Sequence, residues 1–305
     1  MIITLLNIII LLTFPLLFIG IINKTKAFWT GRKGASILQP FYDFIRLLKK
    51  DMVISSVTSG VFNIAPIITF TSTIFAGLFI PIIAHKSIIS FEGSFILFAY
   101  ILGLGKFFSL IGAMDTGNSF EGMGASREAS FSTIVEPAFF IIMASIIALT
   151  GNYTFDSFAL ILQNAGSYGI LIIVLSVLSL FIMLLVEGCR VPVDDPNTHL
   201  ELTMIHEVMV LDNSGIDLGF ILYGSAMKMI IFSSLIANLL IPSGLGVFNS
   251  LLLYSGIILL LAITIGTIES SFARLRISHV FEFIFIMSSF SLIVLSLAVI
   301  KLYGN

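Results

Sequence analysis

Residues 169–215 read GILIIVLSVLSLFIMLLVEGCRVPVDDPNTHLELTMIHEVMVLDNSG. The first 18 residues of this stretch are almost entirely apolar, and a helix needs about 20 such residues to cross the hydrocarbon core of a bilayer. The apolar run ends at Glu187, and a polar stretch follows at once. This sequence predicts a transmembrane helix over 169–187 that continues into a long polar loop.

The rest of the chain repeats this pattern. Of its 305 residues, 58% are hydrophobic and 10% are charged, and the mean hydropathy is +1.12. Soluble domains do not have such a composition. We predict an all-α, polytopic membrane protein that forms a single integral membrane domain over residues 1–305. The predicted spans are 2–22, 61–84, 94–114, 133–150, 169–187, 217–240, 248–268 and 281–301.

The distribution of lysine and arginine predicts the orientation in the membrane. Positive charge collects in cytoplasmic loops. Eleven of the 15 basic residues lie in four connections that fall on one side of the membrane: 23–60, 115–132, 188–216 and 269–280. These long loops are therefore predicted to be cytoplasmic, with both termini outside, in the cell (inner) membrane.

The first cytoplasmic loop contains a predicted amphipathic helix. Pro40 can occupy the first turn of a helix, where its missing N–H costs nothing. Phe41, Phe44, Ile45 and Leu48 then follow at i, i+3, i+4 and i+7. Such a helix lies in the membrane interface or against a partner, and a basic lipid anchor explains the segment equally well.

The polar stretch after Glu187 concentrates acidic residues. Seven of the 17 acidic residues and two of the four histidines lie between Glu187 and Asp217. Asp195 followed by Pro196 is typical of a helix start, and the residues from His199 to Leu211 favour a helix. No HExxH or comparable ligand spacing occurs, so no metal site is predicted.

Among the charged residues within or at the ends of predicted spans, four stand out: Lys106, Glu136, Glu187 and Lys228. A charge near mid-bilayer costs on the order of 2.5–3.5 kcal/mol. Glu136 and Glu187 both lie near the cytoplasmic ends of their spans, so they are expected at the same depth. A carboxylate balanced between desolvation and a nearby cation can gain and lose a proton, as a proton relay requires. Paired charges that fix helix packing, or interface residues that reach water, are the alternatives.

Composition also excludes several function classes. The single Cys189 cannot form an intrachain disulfide, and no set of thiolates exists to hold an iron–sulfur cluster. No catalytic residue and no cofactor is predicted in this chain, so redox chemistry is expected in partner subunits. No basic, aromatic-interleaved surface for nucleic acid occurs.

Several motifs resemble the family of complex I subunit 1, known in bacteria as the H subunit, which energy-converting [NiFe] hydrogenases share. GRKGASILQPFYDFIRLLKKD (31–51) resembles the family's first cytoplasmic loop, with Ala35 in place of the usual proline. GASREASFSTIVEP (124–137) resembles a second family segment and aligns Arg127 and Glu136 with it. The resemblance covers nearly the whole chain and includes the eight spans.

The later loops extend this resemblance. ESSFARLRISHVFEF (269–283) resembles the family's last cytoplasmic loop. EGCRVPVDD (187–195) resembles its E-x-N-R-x-P-F-D motif, with Val193 in place of phenylalanine. The aligned positions are Glu187, Arg190, Pro192 and Asp194. The longer stretch PVDDPNTHLELTMIHE (192–207) is similar to the hydrogenase-4 and formate hydrogenlyase version of this membrane subunit.

The resemblance implies a division of labour. A soluble arm with [NiFe] large-subunit-like, small-subunit-like and ferredoxin-like iron–sulfur proteins would dock on the cytoplasmic loops, and antiporter-like membrane subunits would lie beside the chain. The predicted ion path is Glu136, Glu187, Lys106, Lys228, Glu201 and Glu207. The predicted docking residues are Arg127, Arg190, Asp194, Asp195, His199, His206, Asp212, Arg274 and Arg276; for any single arginine, positive-inside topology is the alternative.

Two other functions stay open. The family relationship also fits a quinone-binding membrane subunit of a complex I-like NADH or ferredoxin dehydrogenase, although the changed acidic loop argues against quinone. A free-standing secondary transporter would carry an inverted repeat with broken helices, and the sequence has no such repeat.

Overall fold

The computed structural model describes residues 2–83, 85–158, 160–163, 166–195 and 204–303. These residues form α-helices and two 3-10 turns, without a strand. The helices are α1 Ile2–Trp29, α2 Gln39–Leu48, α3 Gly60–Gly77, α4 Ser94–Asp115, α5 Ser119–Thr150, α6 Leu160–Gln163, α7 Gly166–Glu187, α8 Gly215–Leu240, α9 Val247–Ser271 and α10 Ile277–Tyr303. Eight of them, all but α2 and α6, are long and apolar enough to cross a membrane, which confirms the predicted fold class.

Helix α8 is the centre of the bundle. It packs against α1, α2, α3, α7 and α9, and its Met227, Ile230 and Leu235 side chains are fully buried. Helices α5 and α7 both pack against α10 on one flank, and α3 packs along α4 on the other. Most of α8 is therefore buried inside the bundle.

The connections separate into two groups at opposite ends of the bundle. At one end, Val53 N–H donates to Ser214 Oγ (3.0 Å), and Leu275 N–H donates to Pro192 O (2.9 Å). We call this the polar end; its described residues are 30–59, 116–118, 188–195, 204–214 and 272–276. At the opposite end, Gly93 N–H donates to Tyr153 O (3.2 Å). This grouping agrees with the sequence analysis, and which end faces the cytoplasm stays a prediction.

The predicted amphipathic helix is confirmed as α2. Pro40 lies in its first turn, as expected from the missing N–H. Phe44 contacts the Tyr223 ring of α8, with the ring centroids 4.9 Å apart. Ile45 and Leu48 remain exposed, so the bundle covers only part of the apolar face of α2.

The predicted connection at 115–132 is wrong, because α5 already begins at Ser119. The Asn118 side chain caps the helix by accepting the Phe120 N–H (3.1 Å). The hydroxyl groups of Ser130 and Thr133 donate to backbone carbonyls one turn earlier, so these polar residues need no loop. Helix α5 also continues through Pro137, because transmembrane helices tolerate proline.

Two other predicted helix boundaries are wrong. The span predicted over 61–84 ends at Gly77, because the chain turns there and Pro81 cannot continue the hydrogen-bond ladder. In the predicted helix from His199 to Leu211, the described part holds only a 3-10 turn, Glu207–Val210. Residues 204–206 are not helical; residues 196–203 lie outside the described part of the chain.

A close approach of α3 and α4 at Gly105 gives a test of this packing. A Cβ atom at Gly105 would clash with Ser72 Oγ, whereas a Cβ at Gly103, half a turn away, would meet no atom within 4 Å. Gly105→Ala is expected to destabilise the protein by roughly 1–3 kcal/mol through overpacking. The thermal unfolding midpoint in detergent should fall for Gly105→Ala and not for Gly103→Ala; equal midpoints would contradict this packing.

Candidate functional site

The transmembrane charges meet around one cavity inside the bundle. We call it the charged cavity; it is lined by Lys106 of α4, Glu136 of α5, Glu187 at the end of α7 and Lys228 of α8. Its volume is about 50 Å³, which is enough for a few water molecules at about 10–15 Å³ each. Phenylalanine side chains of α4, α5 and α8 form much of the remaining wall.

Lys106 is the centre of this cluster. Its Nζ lies 2.5 Å from Glu187 Oε1 and 3.5 Å from Glu128 Oε1. The three side chains are 9–15% exposed. Lys228 and His206 also act electrostatically on Glu187. Since taking charges out of water is costly unless they are paired, the ammonium group of Lys106 compensates two carboxylates at once.

Four of the charges in this cluster, Lys106, Glu136, Glu187 and Lys228, were predicted from the sequence, and Glu128 was not. Glu128 falls in the predicted connection at 115–132, a segment that also contains Ser126, Ser130 and Ser132. The spacing of Glu128 and Glu136, eight residues apart, would place both on one face of a helix. That spacing was the available signal, once the helix was known to begin at Ser119.

Of the other two predicted ion-path residues, Glu207 lines a second cavity, described below, and Glu201 lies outside the described residues. Glu136 differs from Glu187 in its surroundings, because Glu136 is exposed on the outer face of the bundle. The charged cavity therefore extends from a buried ion pair to an exposed carboxylate.

A second ion network joins the polar end to the helices. The buried carboxylate of Glu269 on α9 pairs with Lys26 of α1 (2.8 Å) and with Arg190 (3.3 Å). Arg190 follows Glu187 by three residues. The loop that leaves the charged cavity is thus fixed to α1 and α9 by charge-assisted contacts, which are stronger than neutral hydrogen bonds.

Asp194 organises the same loop. Its Oδ2 accepts the N–H groups of Ile205 and His206, both at 3.0 Å. Its Oδ1 lies 3.1 Å from the Arg274 guanidinium group. These bonds occupy N–H groups that a helix would need, which explains why residues 204–206 are not helical.

The structure separates the predicted docking residues into two groups. Arg190 and Asp194 are buried and make internal ion pairs, so they shape the polar end rather than present a surface. Asp212 and Arg276 are exposed there. Arg127, Asp195, His206 and Arg274 are half-buried, and His199 lies outside the described residues. Docking itself stays a prediction for all of them.

A larger cavity of about 340 Å³ lies beside the charged cavity, between α1, α2, α8 and the loop after α7. We call it the α2 cavity; its apolar wall includes Leu16, Phe44, Leu47 and Leu222. Arg190, His206 and Glu207 line its polar side. The buried atoms Arg190 Nε and His206 Nε2 have no hydrogen-bond partner within the described part of the protein.

Metal-binding geometry is absent from the described part of the chain, where no group of three or more His, Cys, Asp or Glu residues could hold an ion. Cys189 lines the α2 cavity and is buried. Burial raises the pKa of the Cys189 thiol well above its usual value, so this thiol is protonated at neutral pH and is a poor metal ligand.

Comparison with known proteins identifies the family. The NADH dehydrogenase family matches residues 2–300, which is nearly the whole chain. The chain belongs to this family. It is the family of complex I subunit 1, as the motifs at 31–51 and 187–195 indicated.

Relatives within the NADH dehydrogenase family include components of hydrogenases and of complex I. Hydrogenase-4 component C of Escherichia coli is 27% identical over 236 residues, covering 77% of this chain and 74% of the relative. Formate hydrogenlyase subunit 4 of the same organism is 24% identical over 265 residues, 85% of each chain. The H subunit of NADH-quinone oxidoreductase from Wolbachia pipientis is 26% identical over 212 residues, covering 65% of this chain and 61% of the relative.

A solved structure shares the fold. A chain of the membrane-bound sulfane sulfur reductase, an archaeal respiratory membrane complex, superimposes with a TM-score of 0.82 at 21% sequence identity. The match covers 97% of the present chain and 98% of the reductase chain. At this identity the likeness shows the fold alone: the multi-pass helical bundle of the family.

Removing Lys106 tests whether the buried ion pair holds the cavity together. Lys106→Met removes the cation that is paired with both Glu187 and Glu128, and breaking such a buried pair typically costs about 3–5 kcal/mol. Adding Glu187→Gln to Lys106→Met should recover much of this loss, because one uncompensated charge disappears. Unfolding midpoints of the single variants and the double variant measure the coupling; additive effects would contradict a Lys106–Glu187 interaction.

Proposed function

We propose that this chain is the membrane anchor and ion-coupling subunit of an energy-converting [NiFe] hydrogenase or formate hydrogenlyase complex. In this role it links a cytoplasmic electron-transfer arm to the translocation of protons or sodium ions. The observation that carries the proposal is the position of Glu187. It ends α7 inside the charged cavity, and the loop that begins with the next residue builds the polar end.

The polar end is the proposed docking site of the soluble arm. Exposed Asp212 and Arg276 offer charges of both signs, while buried Asp194 holds the loop in shape. We propose that this end faces the cytoplasm, in keeping with its basic residues, and that both termini lie outside. The [NiFe] centre and the iron–sulfur clusters would belong to the arm. Hydrogenase-4 component C and formate hydrogenlyase subunit 4 support this assignment.

Lys106 provides a means of moving a proton without leaving an unbalanced charge. Its ammonium group lies between Glu187 and Glu128. If it moves toward Glu128, Glu187 loses its cation, and the carboxylate then favours binding a proton. When Lys106 returns, Glu187 releases that proton into the cavity, where Glu136 can accept it. A displacement of the 188–195 loop during electron transfer would bias this exchange through Arg190.

Glu187→Gln tests this coupling role. The amide is isosteric with the carboxyl group and can still accept a hydrogen bond from Lys106, so assembly should be retained. The variant cannot carry a proton, and ion uptake into proteoliposomes that contain the purified complex should be abolished or strongly reduced per electron transferred. Glu92→Gln, at an exposed position of the opposite end, is the matched control. Normal ion uptake by Glu187→Gln would refute the relay.

The α2 cavity favours a second candidate function, the binding of a quinone. Its volume of about 340 Å³ is within the usual range of about 300–1,000 Å³ for ligand pockets. Arg190 Nε could donate a hydrogen bond to a quinone carbonyl. The relationship to the H subunit of NADH-quinone oxidoreductases supports this candidate as well.

A quinone-site inhibitor distinguishes the two candidates. Under the hydrogenase proposal, the inhibitor should leave turnover of the purified complex unchanged. Under the quinone alternative it should block turnover, and Leu47→Trp, which fills the α2 cavity, should lower the affinity for the inhibitor. Ile45→Trp is the control, because Ile45 lies on the exposed side of the same helix.

A further inference from the structure

The outer face of α5 differs from that of other outer helices. Its exposed residues are mostly small or polar, with Met123 and Phe140 as the large apolar exceptions: Ser126, Ala129, Ser130, Thr133, Glu136, Pro137 and Ala144. The exposed faces of α9 and α10 instead carry large apolar side chains such as Phe248, Leu252, Leu260, Phe285, Leu292 and Ile300. Lipid tails favour the second kind of surface. Small residues are typical of helix faces that another transmembrane helix approaches closely.

A groove lies beside this face, where the charged cavity opens between α4 and α5. Ala99 and Gly103 of α4 form one wall, and Glu136 and Phe140 of α5 form the other. Ala99 and Gly103 are one helical turn apart, the spacing of a small-xxx-small contact. The position of a Cβ at Gly103 has open space within 4 Å. The small residues on this wall would allow another helix to approach closely.

The charges around the groove indicate which kind of partner it would bind. The cluster holds three carboxylates, Glu128, Glu136 and Glu187, against the two ammonium groups of Lys106 and Lys228. Lys106 is committed to Glu128 and Glu187, and Glu136 is the carboxylate on the exposed rim. A carboxylate facing hydrocarbon is costly, and an acyl chain offers it neither charge nor a hydrogen bond. A further positive charge beside Glu136, supplied from outside the chain, would balance the cluster.

We propose that the α4–α5 groove binds a transmembrane helix of a neighbouring membrane subunit, and that a lysine, arginine or histidine of that helix pairs with Glu136. This inference rests on the proposed function, which places the chain in a multi-subunit membrane complex. The inference specifies the groove at which the neighbouring subunit binds and the basic side chain that this subunit contributes. The partner helix closes the charged cavity and extends the ion path out of this chain.

A matched pair of glycine variants tests the groove. Gly103 and Gly256, on α4 and α9, both have open space at the Cβ position, so the chain should accept leucine at either site. In the complex purified in mild detergent, Gly103→Leu should lose the neighbouring membrane subunit, whereas Gly256→Leu should retain it. Both variants should retain the soluble subunits at the polar end. Retention of every membrane subunit by Gly103→Leu would overturn the proposal.

Photocrosslinking then identifies the occupant. Benzoylphenylalanine at position 140 should crosslink in native membranes to a transmembrane segment that contains a basic residue. The same probe at Leu260, exposed on α9, should react with lipid. Glu136→Lys should reduce assembly, and reversing the basic residue of the crosslinked segment to glutamate should restore it. This rescue is expected only if the two side chains pair.

The remaining outcomes are distinct from one another. Crosslinks at position 140 to lipid alone, or to a second copy of this chain, would overturn the groove proposal, while soluble subunits that still co-purify would leave the proposed function intact. If the wild-type chain purified with no other subunit, that result would contradict the proposed function itself, and with it the groove proposal.

Discussion

The buried ion pair between Lys106 and Glu187 is the interaction on which the interior of this protein depends. Lys106 lies in the middle of α4, and Glu187 ends α7, so their contact fixes the relative depth of two helices. Such a pair need not add stability over a well-packed apolar contact. Its presence is better explained by function, because Glu128 lies close enough to give Lys106 a second partner.

The pair also connects two regions that would otherwise be independent. Glu187 is the last helical residue before the loop that carries Arg190 and Asp194. Arg190 is bound to Glu269 of α9, and Asp194 is bound to Arg274 beyond it. A conformational change at the polar end can therefore reach the charged cavity through these ion pairs and through the short stretch of chain that joins Arg190 to Glu187. On the other side, Glu136 brings the same cavity to the outer face of the bundle.

Much of the fold could be predicted from local sequence. The eight spans follow from apolar runs, and α2 follows from Pro40 and the spacing of Phe41, Phe44 and Ile45. The start of α5 could not be predicted in this way, because Ser126, Ser130 and Thr133 bond to their own helix and so resemble loop residues only in composition. The chain at 204–206 depends on Asp194, a contact across 11 residues that no periodicity encodes.

The candidate site was predictable as a list of residues but not as an arrangement. Lys106, Glu136, Glu187 and Lys228 stand out because charge is rare in the spans. Their convergence on one cavity depends on how α4, α5, α7 and α8 pack. The burial of Arg190 likewise depends on tertiary packing. The motif at 187–195 predicted the family, but it did not reveal that Arg190 and Asp194 are buried in internal ion pairs.

Purification of the intact complex from its native membrane, with subunits identified by mass spectrometry and metals quantified, tests the central claim most directly. We expect this chain to co-purify with nickel-containing and iron–sulfur subunits and with antiporter-like membrane subunits. A complex that contains NADH-oxidising flavin subunits and no nickel would contradict the assignment to a hydrogenase and favour the quinone-binding alternative.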